Sequence, residues 1–171
     1  MEKLTFVING RGGVGKDTLC EFAARAFSVV NLSSVDPIKA LAKQVGWQGE
    51  KTDKVRRFLS DLKALTIAYN DYPTTWGLEQ YNRFLAGDAQ IMFFHIREAE
   101  EIDKFVRATG GAAKTLLIRR AAAHTGAYGN RSDDEVESYQ YDYIFNNDMP
   151  LAEAEGAFVA FLHGILASIK E

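Results

Sequence analysis

The chain carries a single cysteine, Cys20, in 171 residues. No intramolecular disulfide can form, which suits a reducing compartment. It has only three prolines and shows no linker, low-complexity tract or internal repeat. Neither sign of charge dominates: 20 basic against 23 acidic residues give a formal −3. That balance offers no global reason for nucleic acid or an anionic membrane as a partner, so any basic surface must be local. Long apolar runs are scarce too. The longest, GAFVAFLHGILASI, is interrupted by His163 and is too short to span a bilayer. The opening MEKLTFVING has no apolar stretch or cleavage site of the secretory kind. The expectation is a soluble cytoplasmic protein with small-molecule partners, with homodimerisation left open. What is present, 47% hydrophobic and 25% charged residues, is ordinary globular composition and enough for one domain over 1–171.

Short apolar runs alternate with helical patterns. LTFVIN (4–9), SVVNLSS (28–34), IMFFHI (91–96), KTLLIRR (114–120) and DYIFNN (142–147) read as strands. Leu19, Phe22, Ala23 and Ala26 share one helix face after the first strand. Asp36-Pro37 opens a second helix, with proline in its first turn. Loop 47–51 leads to a long helix with Val55, Phe58, Leu59, Leu62, Leu65 and Tyr69 on one face. Tyr72-Pro73 interrupts it, and a shorter helix bearing Trp76, Tyr81 and Phe84 ends near Gly87. A polar-faced helix after residue 97 closes on glycines, Ser132-x-x-Glu135 fits a capping box, and a last apolar helix starts near Pro150. The alternation predicts an α/β fold, a five-stranded parallel sheet with helices on both faces. Ligands of such sheets bind beyond the C-terminal strand ends. Gly10, Asp36, Arg97, Arg119 and Asn147 all fall at that rim.

GRGGVGKDT (10–18) admits two spacings. As Gly10-x-Gly12-x-x-Gly15 it is a dinucleotide turn, with Asp36 near the place of a ribose-binding acid. That spacing leaves Lys16 without a task and the chain without length for a substrate domain. As Gly10-x-x-x-x-Gly15-Lys16 it is a phosphate-binding P-loop, and every residue has work. Gly10, Arg11, Gly12, Gly13, Val14 and Gly15 turn successive amides toward phosphates at a helix N-terminus. Lys16 reaches the β- and γ-phosphates, and Thr18 adds a hydroxyl. Asp17 stands where Ser or Thr normally ligates magnesium. It either holds the hydrated cation through water or serves only as a helix-N-terminal carboxylate.

These residues resemble a family. Gly15-Lys16-Asp17-Thr18 followed by Asp36-Pro37-Ile38-Lys39 is similar to the GKDT and ADPLK elements of phage-type deoxynucleoside monophosphate kinases. His95-Ile96-Arg97, with Glu98 and Glu101 beyond it, resembles that family's DVR element and acidic helix. Asn130-Arg131-Ser132-Asp133, then Asp142 to Asp148, resembles its HxSE and the last strand ending in ND. His95 departs from an aspartate that would organise magnesium, and it is read either as facing the phosphates or as structural. Asn130 and Asp133 depart from the lid's histidine and glutamate. The resemblance implies a three-layer P-loop kinase fold with an acceptor-binding helical insert (47–88) and a lid (120–138). It implies ATP and Mg²⁺ and phosphoryl transfer to a (deoxy)nucleoside monophosphate. Alternatives are another small phosphorylated acceptor, such as dephospho-coenzyme A, or a nucleotide-binding module without catalysis.

Transfer of a γ-phosphoryl group needs positioning and positive charge more than covalent chemistry. Lys16 holds the donor. Asp36 organises metal-bound water or orients the acceptor, unless it only caps a helix. Arg97 offers a fork for an acceptor phosphate. Arg56 or Arg57 either reaches inward or lies on a solvated face. Arg119, Arg120 and Arg131 bracket the lid and face the donor, with Asn147 beside them at the last strand's end. Of the aromatic cluster Tyr69, Tyr72, Trp76, Tyr81 and Phe84, most members are expected to be core, and one or two to stack on a base.

Overall fold

In the computed structural model residues 2–121 and 135–169 are described. Five strands, β1 (Leu4–Asn9), β2 (Val29–Ser33), β3 (Ile91–His95), β4 (Lys114–Arg119) and β5 (Tyr143–Asn146), form one sheet in the order β2-β3-β1-β4-β5. All neighbouring pairs are parallel, with Leu4 opposite Ile91 and Phe6 opposite Lys114. β1 is buried along its whole length, because in a parallel sheet crossover helices cover both faces.

Side chains alternate between two cores, as the pleat requires. Phe6, Ile8 and Phe93 point to α1 (Lys16–Ala26) and the last helix, α6 (Leu151–Ser168). Val7, Met92 and Phe94 point to α4 (Tyr72–Ala86) and α5 (Ala99–Ala108), where Tyr81, Phe84, Ile102 and Phe105 meet them. Stacked Phe6 and Phe93, with ring centroids 6.2 Å apart, anchor the first core. Phe94 and Phe105, at 4.6 Å, anchor the second. Each such ring contributes about 1.5–3 kcal/mol through burial. Against the expectation from its apolar run, α6 is by length and composition long enough to cross a membrane. Its inner face, with Phe158 and Leu162, packs into the first core.

The connection from β2 to β3 holds α2 (Asp36–Gln44), α3 (Asp53–Asn70) and α4. The break between α3 and α4 falls at Asp71, in the left-handed region with φ 51° and tied to Lys104 at 2.7 Å. That is one residue before the expected Tyr72-Pro73. The expected apolar face of α3 is corrected more substantially, since no residue of this helix is buried. Val55, Leu59 and Leu62 are half-covered, whereas Leu65 and Tyr69 are 68% and 87% exposed. The helix lies on α2 and α4 and not on the sheet, so only a narrow strip of it finds cover.

Candidate active site at the C-terminal rim of the sheet

The turn after β1 is built to close tolerance. A Cβ on Gly10 would stand 2.8 Å from the Ile118 carbonyl oxygen and from Val14 Cγ2, so the loop hugs the end of β4. Gly13 and Gly15 adopt φ of +80° and +84°, a region L-residues avoid. A Cβ on Gly15 would also meet Asn147 Nδ2 at 2.7 Å. Asn147 is buried, donates from Nδ2 to the Val14 carbonyl at 2.9 Å, and ties its own amide to the Arg119 carbonyl at 2.7 Å. It thereby fastens the loop to the ends of β4 and β5. Gly15 is the N-cap of α1, with no side chain capping that end. The first-turn amides, beyond Gly12 and Gly13, which are exposed, are thus left to an anion. That arrangement fits a polyphosphate.

Asn9, which sequence reasoning passed over, is the second fastening. It is buried, accepts from the Gly10 amide at 2.9 Å, and donates to the Arg97 carbonyl and to Tyr141 Oη at 3.0 Å each. A polar residue ending an otherwise apolar strand was the available signal.

Beyond the turn lies a cavity of about 720 Å³. Lys16, Asp17, Asp36 and Arg97 all line it, so four expected site residues from three separate strand ends share one space. Asp36 Oδ2 accepts from the Ser33 amide at 2.7 Å and closes the turn into α2, compatible with either role expected of it. The metal question turns on donor chemistry. Magnesium keeps several waters and needs only one or two carboxylates, and Asp17 with Asp36 fits that outer-sphere arrangement. Among the described residues no group of three His, Cys, Asp or Glu side chains could ligate an ion directly.

His95 also lines this cavity. Its Nε2 lies 2.7 Å from Asn31 Oδ1 and 3.8 Å from Cys20 Sγ. Burial, then the nearby Lys16 charge, push its pKa down to about 4. His95 is therefore a neutral imidazole at pH 7. Burial first, and Asp17 next, push the Cys20 thiol up to about 12, which leaves it unreactive.

The remaining expected residues lie elsewhere. Arg11 and Arg119 converge on Glu137, with nitrogen-oxygen distances of 3.8 and 3.9 Å, on the side of the loop toward β4. Thr18 is half-buried in the first turn of α1, and Arg120 is exposed. Arg131, with Asn130, Ser132 and Asp133, lies outside the described residues, as does most of segment 120–138. Arg56 pairs with Asp53 at 2.9 Å on the exposed face of α3, and Arg57 is exposed. Neither lines the cavity; Lys63 of the same helix does. Among the described residues no Phe, Tyr or Trp lines the cavity. Tyr81 and Phe84 are core, Trp76 packs toward Phe94, and Tyr69 is exposed. The expected stacking on a base finds no ring at the cavity.

No protein-family model matches the chain, and no curated protein sequence matches it. Solved structures do resemble it. A candidate kinase from Chloroflexus aurantiacus is 14% identical, with 97% of each chain covered and a TM-score of 0.59. Shikimate kinase from Bacteroides thetaiotaomicron is 14% identical over 96% of this chain and 98% of that one, with a TM-score of 0.51. A gluconokinase from Sinorhizobium meliloti is 15% identical over 98% and 95%, at 0.50. At such identities the likeness establishes the fold. The chain has the α/β P-loop kinase fold.

Proposed function

We propose that the protein transfers the γ-phosphoryl group of ATP to a small anionic acceptor, a (deoxy)nucleoside monophosphate. One observation carries this reading: a single cavity joins Lys16 and Asp17, at the start of α1, to Asp36 and Arg97 beyond two other strands. A site that only held a nucleotide would need no cationic extension past its phosphate end. The similar folds of shikimate kinase and gluconokinase support small-molecule phosphorylation in general. The GKDT and DPIK elements support the monophosphate.

The loop amides and Lys16 grip the donor's phosphates and neutralise charge that grows on the bridging oxygen. Arg97 holds the acceptor anion so that one of its oxygens faces the γ-phosphorus in line. That oxygen's lone pair forms the new P–O bond while the bond to the β-phosphate oxygen breaks and ADP departs. Magnesium, held through water by Asp17 and Asp36, would neutralise the β- and γ-phosphates. Neutral His95 adds no charge of its own, so the imidazole shapes the cavity floor. In this reading 47–88 is the acceptor side, and 120–138, with Arg119, Arg120 and Arg131, is a lid over the donor.

The lining by the described residues, which has no aromatic ring, supports a second reading. A base there would be met by Asn31, Ser33, Ser34 and Ser60 edges, without stacking, which suits a compact phosphorylated acceptor without a base equally well. The test is titration calorimetry and ADP release with ATP and a panel of nucleoside monophosphates, using wild type and Arg97→Ala. We expect Arg97→Ala to keep ATP affinity and lose acceptor affinity by roughly 2–4 kcal/mol, with Arg97→Lys recovering only part. Wild type that binds ATP and turns over no monophosphate would remove the nucleotide acceptor. A variant that loses ATP and keeps the acceptor would reverse the two halves of the site.

A further inference from the structure

At the cavity's outer wall, Lys63 of α3 reaches back to two acids of the neighbouring element. Its Nζ donates to Glu98 Oε2 at 3.1 Å and to Glu101 Oε2 at 2.7 Å. Lys63 and Glu98 line the cavity beside Arg97, Leu59 and Ser60. The two acids are unequal. The Glu98 side chain is 51% exposed, whereas that of Glu101 is 8% exposed, with Oε1 buried and lacking a hydrogen-bond partner. Burial first, and the neighbouring Glu98 second, push Glu101 up to about 7. For Glu98, burial alone would raise the pKa, but the neighbouring Glu101 and the Lys63 ammonium outweigh it and hold the group low.

α3 has no buried residue and rests a half-covered strip on α2 and α4; the Lys63 contacts tie it in addition to Glu98 and Glu101. One ammonium faces two carboxylates, an arrangement with one acid more than it needs. The geometry points to Lys63 as an acceptor-binding residue, handed from Glu98 to the acceptor's anionic group and kept at the wall by Glu101 as its positioning residue. This rests on the anionic-acceptor reading above. An anion lying between Arg97 and Lys63 repels the Glu98 carboxylate next to it. Glu98 is exposed, so it rehydrates at small cost when it lets go. Glu101 is buried and holds Lys63 Nζ at 2.7 Å, the shorter of the two contacts, so it keeps the lysine. The difference in burial decides which bond breaks.

The test measures binding of the four deoxynucleoside monophosphates, inorganic phosphate and ATP by calorimetry, with circular dichroism as the folding control. Lys63→Met, which keeps most of the stem, should weaken monophosphate binding about tenfold to hundredfold and leave ATP binding unchanged. Glu101→Gln should weaken it less, and should add nothing in the Lys63→Met background. Glu98→Gln, which removes a competitor, should tighten it, a gain that misfolding cannot mimic. Wild-type monophosphate affinity in Lys63→Met, or an equal loss in Glu98→Gln and Lys63→Met, would overturn the hand-over while leaving the acceptor reading intact. Wild type that binds ATP but none of the monophosphates or phosphate would overturn both.

Discussion

Lys16, just past the turn after β1, and Lys63 of α3 line the same cavity, but the turn and the helix that carry them are held by different physics. The turn is fixed by backbone geometry and buried amides: Gly10 against Ile118, Gly15 against Asn147, Asn9 bridging to Arg97 and Tyr141. Displacing this turn would cost buried hydrogen bonds of Asn9 and Asn147. α3 instead rests a half-covered strip on α2 and α4 and is pinned by the ion pairs of Lys63. In the proposed reaction a rigid cradle suits a polyphosphate common to every donor, and a lightly held wall suits an acceptor that exchanges at each turnover.

The contrast can be broken in several places. Lys16→Ala removes charge from the rigid side. Turnover should fall about 10²–10³-fold and ATP bind more weakly, while the unfolding free energy stays within about 0.5 kcal/mol of wild type. Unchanged turnover would remove the loop from the chemistry.

His95 tests the floor between the two sides. Its pKa is lowered from 6.5 to about 4, so between those values the unfolded chain takes a proton that the native state refuses. Stability therefore falls as pH drops through that window, by up to roughly 2–3 kcal/mol after allowance for partial exposure. Glu101, raised to about 7, acts oppositely: its contribution is lost as pH rises from its ordinary range through 7. The difference between wild type and His95→Asn isolates the histidine. Urea melts from pH 4 to 7 should show the variant less acid-sensitive, and parallel curves would contradict a buried neutral imidazole.

Asn147→Ala should cost about 1–2 kcal/mol of stability, because the Val14 carbonyl loses its buried donor. ATP affinity should fall with it, since the loop loosens. A loss of affinity with no loss of stability would mean Asn147 touches the nucleotide and does not brace the turn. The smallest effect belongs to the outer face of α3. Leu65→Ser and Tyr69→Ser should each change stability by less than about 0.5 kcal/mol. A cost above about 1 kcal/mol would mean this face is covered in solution, and sedentary exposure of the helix would give way to an interface readable by light scattering.

The alternation of apolar runs and helical patterns was sufficient to determine five parallel strands and the glycine turn, because both depend on local chemistry: β-branched and aromatic runs for buried strands, glycines for positive φ, a lysine at fixed spacing. The order of those strands was not anticipated, and the meeting of Asp36 and Arg97 in one cavity was anticipated only as residues at a common rim. Pattern reading failed on α3, since an apolar stripe records what a helix can bury and not what is there to cover it. It missed Asn9 and Asn147 as braces, and it left Arg56 and Arg57 open without weighing Lys63, because the side of a helix that faces a cavity is set by packing against α2 and α4. Sequence spacing fixes which residues share a face. Only the tertiary structure decides which face meets the site, because that choice is made by contacts between segments far apart in the chain.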